Sequence, residues 1–138
     1  MNRITLFSLF FLYFTTNLQA QKKMTIPPYL QKGDTIAIVA TARKNIDDNL
    51  KPAISWLKSW GLEVVVGNSI GLEYHQLAGT DQQRAADFQA QLDNPNVKAI
   101  WCVRGGYGTV RMVDLLDFTK FKQNPKWIIG FSDVTVLH

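Results

Sequence analysis

Short apolar runs rich in β-branched residues alternate with segments of helical periodicity along most of this chain. The runs occupy residues 35–41, 62–67, 97–103 and 126–130. Runs that are apolar at successive positions are typical of strands buried on both faces, and strands separated by helices pair in parallel. The sequence therefore predicts an α/β fold, an open, doubly wound, flavodoxin-like and mostly parallel sheet with helices on both faces.

Two of the connecting segments carry clear helix boundaries. The first is predicted to follow Asp48 or Asn49 as its N-cap and to stop at Gly61. The second is predicted to follow Thr80 as its N-cap and to end before Pro95. Both carry apolar residues at helical spacing, so each can cover one face of the sheet.

The remaining segments are shorter or polar. Residues 109–117 are predicted as a third helix, and residues 68–79 and 118–125 as loops. The carboxyl ends of parallel strands meet at one edge of the sheet, where ligands bind in folds of this kind. We therefore expect three loops to converge there, at residues 41–45, 104–108 and 131–133.

The first twenty residues differ in composition from the rest of the chain. Arg3 precedes an almost wholly apolar run over residues 4–14, and a small residue, Ala20, ends the segment. This pattern predicts a signal peptide over residues 1–20 and an exported, periplasmic or secreted protein. A membrane anchor is the alternative, but the run is shorter than the roughly 20 residues that span a bilayer. Residues 21–33 read as an extended lead-in, and residues 34–138 as one domain.

Composition excludes several classes of partner and site. The net charge of +4 comes from scattered basic residues, which argues against a nucleic-acid partner because that needs clustered charge. Cys102 is the only cysteine, and its apolar strand predicts a buried, inert thiol. His75 is predicted to be solvated in a loop and His138 to be a packing residue, so neither suggests a ligand set. We expect no metal ion and no cofactor.

The segment Gly130-Phe131-Ser132-Asp133-Val134 places a serine between a buried strand and a predicted helix. A serine on such a turn exposes its hydroxyl, and the first N–H groups of the helix can stabilise an oxyanion. The nucleophile-elbow pattern G-x-S-x-G is incomplete, because Val134 replaces its second glycine. In the alternative interpretation, Ser132 only caps the helix and Asp133 complements its dipole.

The stretch Arg104-Gly105-Gly106-Tyr107-Gly108 follows the third strand. Its glycines allow positive φ and close approach to a ligand, so an amide here could act as a second oxyanion donor beside the N–H of Asp133. A phosphate cradle fits poorly, because the spacing of a dinucleotide-binding fingerprint is not met. In a third interpretation, each of these glycines only allows the chain to make a tight turn.

Three stretches of the chain resemble the N-terminal domain of the LD-carboxypeptidases, a family of serine peptidases related to the microcin self-immunity peptidases. They are GDTIAIVAT, the segment from AGTDQQRAADF through RGGYGTVRMVDLLD, and PKWIIGFSDVTVLH. The similarity spans almost all of residues 26–138. Its most specific parts are the R-G-G-Y-G loop, the G-T-D-x-x-R-A-x-D helix start and the G-F-S-D turn, in that order.

The resemblance implies roles for individual residues. Ser132 would be the nucleophile, and the backbone amides of Asp133 and Gly106 would form the oxyanion hole. Arg104, Gly105 and Tyr107 would belong to a substrate-contacting loop. The substrate implied is a peptidoglycan stem tetrapeptide, cleaved between the L-centre of a diamino acid and the terminal D-alanine.

The resemblance also implies that a glutamate and a histidine from a C-terminal domain complete the triad. We expect this chain to stop before that domain and to have little activity alone, because a serine hydroxyl is a poor nucleophile without a base. After signal cleavage we expect no stable membrane insertion. The sequence is compatible with a homodimer. Two alternatives remain: a peptidase acting on microcin-like conjugates, and a non-catalytic periplasmic domain that binds a small molecule.

Overall fold

A computed structural model describes residues 25–45 and 50–138 of the chain. The described part contains the following elements in order: β1 (Thr35–Val39), α1 (Lys51–Ser59), β2 (Glu63–Val66), α2 (Asp81–Asp93), β3 (Val97–Cys102), α3 (Thr109–Met112), α4 (Thr119–Gln123) and β4 (Trp127–Ile129). Two 3-10 helices, Val113–Leu115 and Ser132–Leu137, follow α3 and β4. The strands pair in parallel in the order β2-β1-β3-β4, which confirms the predicted α/β sheet.

Both faces of the sheet are covered, because alternate residues of each strand point to opposite sides. On β1, Ile36 and Ile38 pack with Leu57 of α1. From the same strand, Val39 packs on the other side with Phe88 of α2. These residues are almost fully buried, so each helix closes one half of the core. The expectation of helices on both faces is therefore confirmed.

The strand order creates a crevice at the carboxyl ends of two strands. The chain leaves β1 in one direction to form β2 and then returns to the other side of β1 to form β3. The loops after β1 and β3 consequently start side by side and diverge. Sheets of this kind bind their ligands at such a reversal point.

The helix boundaries differ in part from the expectations. The N-cap of α1 is Leu50, which makes no side-chain capping hydrogen bond, and Asp48 and Asn49 lie outside the described residues. The predicted helix over residues 109–117 is shorter, since α3 ends at Met112 and a 3-10 turn follows it.

The prediction of a loop over residues 118–125 was wrong, because α4 forms there. Phe121 of α4 packs against the core next to α2, and Lys120 forms an ion pair with Asp93 at the end of α2. The side chain of Gln89 accepts from the backbone N–H of Asp117 and donates to its carbonyl, which fixes the chain just before α4. Tertiary contacts with α2 thus stabilise a helix too short to stand on propensity alone.

The predicted signal peptide, residues 1–20, lies outside the described residues, as do residues 21–24 of the lead-in. In the part of the chain that is described, no helix has both the length and the apolar character needed to cross a membrane.

Candidate functional site

Ser132 lies on the turn between β4 and the final 3-10 helix and is exposed. Its φ of 60° belongs to the left-handed region, which a residue with a side chain rarely adopts. Such strained positions cluster at functional sites, and the nucleophile elbow is one example. The part of the capping alternative that concerns Ser132 was wrong, because the 3-10 helix has Phe131 as its N-cap and receives no side-chain capping bond.

The incomplete elbow pattern has a packing explanation. A Cβ added at Gly130 would lie 2.4 Å from Cγ1 of Val134, so a glycine is required there. Val134 is completely buried in the α2 side of the core. The turn is therefore tight at Gly130, and the buried side chain of Val134 fixes the turn to the core.

The R-G-G-Y-G loop packs directly against this turn. A Cβ added at Gly105 would lie 3.2 Å from the amide nitrogen of Asp133 and 3.3 Å from Cβ of Ser132. Gly106 has a φ of 121°, and the exposed Tyr107 has a φ of 61°, so the loop bends sharply after this contact. The structure thus brings together the loop and the turn that the sequence singled out separately.

The side chain of Asp133 connects the two segments. Its Oδ2 accepts from the backbone N–H groups of Gly108, at 2.9 Å, and Thr109, at 2.8 Å. Asp133 therefore caps α3, and it also lies in the first turn of its own 3-10 helix, as the alternative interpretation expected. Partial burial raises the pKa of the Asp133 carboxyl. The hydrogen bonds from Thr109 and Gly108 together lower that pKa by more, so the net pKa lies below its usual value.

The loops after β1 and β3 contact each other at residues 41–42 and 108–109. Thr109 donates its hydroxyl hydrogen bond to Thr41 at 2.9 Å, and both residues are fully buried. A Cβ added at Gly108 would lie 2.4 Å from Cα of Ala42, so the backbones are in contact. The rear of the site is consequently closed by backbone and short side chains.

Arg84 of α2 has a role that sequence reasoning missed. It is 1% exposed, and its guanidinium donates to the carbonyl oxygens of Thr41, at 3.0 Å, and Gly108, at 3.3 Å. It also donates to the carbonyl of Gly79 and pairs with Asp81, which in turn binds Arg111. Through these hydrogen bonds, Arg84 connects the end of β1 to the loop that follows β3.

Asp87, one turn further along α2, performs the same task for β2. Its carboxylate accepts from the N–H groups of Asn68, at 2.9 Å, and Ser69, at 2.8 Å. The Ser69 hydroxyl donates to Asp87 and accepts from the N–H of Ala40 at 2.8 Å. Charged positions in the G-T-D-x-x-R-A-x-D segment are thus explained as a scaffold behind the strand tips.

The other candidate residues separate into confirmed and corrected predictions. Burial raises the pKa of the Cys102 thiol to about 12, in agreement with an inert thiol. His75 is exposed beside Tyr74, as expected for a loop histidine. His138 is exposed, so its prediction as a packing residue was wrong. The described residues contain no group of three His, Cys, Asp or Glu side chains arranged to hold a metal ion.

The surroundings of Ser132 are open. Arg104 is half-buried at the start of the loop, directly after β3. An apolar cavity of about 500 Å³ lies elsewhere, between α1 and the sheet, and is lined by side chains that include Trp56 and Trp101. Another, of about 720 Å³, flanks Lys126. Neither of these two cavities is lined by the turn or the R-G-G-Y-G loop.

Comparisons with known proteins agree with this architecture. The murein tetrapeptide carboxypeptidase of Pseudomonas aeruginosa is 35% identical over 103 residues, which cover 74% of this chain and 34% of that protein. The microcin C7 self-immunity protein MccF of Escherichia coli is 31% identical over 111 residues, 78% of this chain and 32% of that protein.

Solved structures give the same result. MccF in complex with aspartyl sulfamoyl adenosine superposes with a TM-score of 0.77 at 27% identity, covering 83% of this chain and 35% of that one. The muramoyltetrapeptide carboxypeptidase of Oxalobacter formigenes superposes with a TM-score of 0.65 at 35% identity, covering 75% and 34%.

The chain thus spans about a third of the length of these relatives. The family model for the LD-carboxypeptidase N-terminal domain matches residues 36–138. The fold, the matched residues and the relatives agree, and the chain belongs to the LD-carboxypeptidase family.

Proposed function

We propose that this domain carries the nucleophile of a serine-type LD-carboxypeptidase and that Ser132 is that nucleophile. The observation that carries the proposal is the exposed hydroxyl on a left-handed turn, packed against a glycine-rich loop. The left-handed conformation of Ser132 is held in place by the buried side chain of Val134 and by the R-G-G-Y-G loop, which packs against the turn. An enzyme gains from such rigidity because the attacking oxygen is already placed before the substrate arrives.

The proposed reaction is hydrolysis through an acyl-enzyme. Oγ of Ser132 attacks the carbonyl carbon of the scissile amide while a base removes its proton, and the carbonyl oxygen becomes an oxyanion. The amides of Asp133 and Gly106 are the proposed donors to that oxyanion. The C–N bond then breaks, the amine leaves with a proton, and water hydrolyses the ester.

The base and its orienting carboxylate are proposed to come from outside the region described. The relatives are about three times as long as the matched segment, which leaves ample sequence for a glutamate and a histidine. A serine hydroxyl without a base reacts slowly at neutral pH. We therefore expect the 138-residue chain alone to hydrolyse peptides poorly.

The proposed substrate is a peptidoglycan stem tetrapeptide that loses its terminal D-alanine. Relatives whose names specify murein or muramoyl tetrapeptides support this choice. The segment over residues 1–20 supports export, so we propose action on wall peptides outside the cytoplasmic membrane.

The test compares Ser132→Ala with Thr135→Ala in the complete protein. Thr135 is an exposed hydroxyl in the same 3-10 helix, so it controls for the loss of a hydroxyl. We expect Ser132→Ala to lower kcat for D-alanine release by at least about 10³-fold and to abolish labelling by a fluorophosphonate, and Thr135→Ala to change neither. Continued turnover by Ser132→Ala would reject the assignment.

A second substrate class has specific support from the fold. Of the two solved structures compared above, the one with the higher TM-score is MccF in complex with aspartyl sulfamoyl adenosine. If the chain acts on such conjugates, the complete protein would hydrolyse an aminoacyl sulfamoyl adenosine faster than a stem tetrapeptide. Competition between the two substrates at equal concentration would give the ratio of kcat/KM values directly.

A further inference from the structure

Arg43 is the exposed cation nearest in sequence to the end of β1, and its backbone is fixed by the loop before α2. Arg43 forms an antiparallel bridge with Leu77. Two backbone hydrogen bonds flank this bridge. The N–H of Ala78 donates to the carbonyl of Ala42 at 3.0 Å, and the backbone N–H of Lys44 donates to the carbonyl of Gln76 at 3.1 Å. The side chain therefore starts from a defined position at the strand tips.

The stem of this side chain lies across Gly106. A Cβ added at Gly106 would lie 2.6 Å from Cγ, 2.8 Å from Cδ and 2.9 Å from Nε of Arg43. The absence of a side chain at Gly106 is thus what makes room for the arginine. A stem packed on a rigid loop loses less conformational freedom when its head group binds a ligand.

The proposed reaction requires an anion at this place. In a carboxypeptidase substrate, only the amide nitrogen and one Cα separate the scissile carbonyl carbon from the terminal carboxylate carbon, a span of about 3–4 Å. A group that binds the carboxylate must therefore lie immediately beside the oxyanion donors. Gly106 is one proposed donor, and the arginine lies against it.

Two neighbouring cations are already engaged in ion pairs. Lys44 pairs with Glu73, and Arg111 pairs with Asp81. Arginine also suits the task chemically, because its planar guanidinium binds a carboxylate through two parallel hydrogen bonds. The side chain of Arg43 is the one found directly against the proposed oxyanion donor Gly106.

We propose that Arg43 binds the C-terminal carboxylate of the peptide substrate and thereby restricts cleavage to the last residue. This inference rests on the proposed carboxypeptidase function. It assigns a specificity-determining role, since the charge is used to recognise the substrate and takes no part in bond breaking.

The experiment compares two substrates in the complete protein: a stem tetrapeptide with a free D-alanine carboxylate and the same peptide with a C-terminal amide. Arg43→Met keeps most of the stem and removes the charge. We expect it to lower kcat/KM for the free acid by about 10²-fold and to leave the slow hydrolysis of the amide unchanged. Arg43→Lys should recover part of the loss. Lys44→Met, a change at the adjacent half-buried cation that pairs with Glu73, should behave like the parent.

Equal losses on both substrates, or no loss on either, would overturn the inference. A binding measurement separates this failure from failure of the proposed function. In the Ser132→Ala background, isothermal titration should show that Arg43→Met weakens binding of the acid about 10²-fold relative to the amide. If the parent releases D-alanine while Arg43→Met discriminates as the parent does, only the Arg43 role is wrong. If the parent neither binds nor cleaves the tetrapeptide, the proposed function is wrong and the Arg43 role fails with it.

Discussion

The two faces of the sheet are built differently, although a helix covers each of them. On one face, α2 begins with a capping box between Thr80 and Gln83 and carries two buried charged residues that bind the strand tips. On the other, α1 has no side-chain cap, buries only Leu57 fully, and leaves Trp56 68% exposed. The comparison teaches that α2 both closes the core and fixes the candidate site, whereas α1 contributes apolar contact alone.

The difference is also one of chemistry. The contacts of α2 with the strand ends are hydrogen bonds from Arg84 and to Asp87, which have defined directions. The contacts of α1 are apolar and border a cavity. Directed bonds hold loops in one geometry, while apolar contacts tolerate small shifts. Polar connections are therefore concentrated where the loops need a fixed position.

The largest expected effect is on Arg84. Arg84→Met would leave the carbonyls of Thr41 and Gly108 without their donor inside the core, and we expect a loss of about 3–5 kcal/mol in the free energy of unfolding. Chemical denaturation measures it. Arg111→Met removes the exposed partner of the same Asp81 and should cost far less. Similar losses for both variants would mean that burial of Arg84 has no special role.

The Asp133 cap should give a pH-dependent effect of intermediate size. Burial raises the pKa of Asp133, but the N–H groups of Thr109 and Gly108 lower it more. A carboxyl whose folded pKa is lowered stabilises the fold above its unfolded pKa of about 3.9, and that contribution is lost as the pH falls through the folded value. Asp133→Asn should therefore lower Tm by a constant amount from pH 7 to 5, and the difference should shrink below about pH 4.

Asp114→Asn is the matched control, because Asp114 is an exposed carboxylate in the 3-10 turn after α3. Its Tm should follow that of the parent at every pH. A difference between Asp133→Asn and the parent that persists unchanged below pH 3 would contradict the charge-based cap.

The smallest effect is expected on the α1 face. Trp56→Gln replaces an exposed side chain by a good helix former, so the free energy of unfolding of this chain should change by no more than about 0.5 kcal/mol. Leu57→Ala, the neighbouring buried position, should cost about 2–5 kcal/mol. A loss of several kcal/mol from Trp56→Gln, measured by denaturant titration, would show that α1 does more than cover the core.

The order of elements could be predicted because each strand is a short apolar run, although only β1 and β3 are largely buried, whereas β2 and β4 are half-buried or exposed. The loop 104–108 and the turn at Ser132 could be predicted to meet because both follow strands of one sheet. The roles of Arg84 and Asp87 could not, since a charged residue in a helix is normally solvated and only the fold places backbone carbonyls and amides around it. Arg43 was missed for the same reason, because its contact with Gly106 joins residues that are distant in sequence.

The crowding around the glycines of the R-G-G-Y-G loop has a consequence for the engineering of this domain. Gly105, Gly106 and Gly108 each lie against a different neighbour, so a side chain added at any of them requires that neighbour to shift, and at Gly108 the neighbour is the backbone of Ala42. Tyr107, between Gly106 and Gly108, is 69% exposed, but its φ of 61° disfavours β-branched residues, so even this position accepts a narrow choice of side chains.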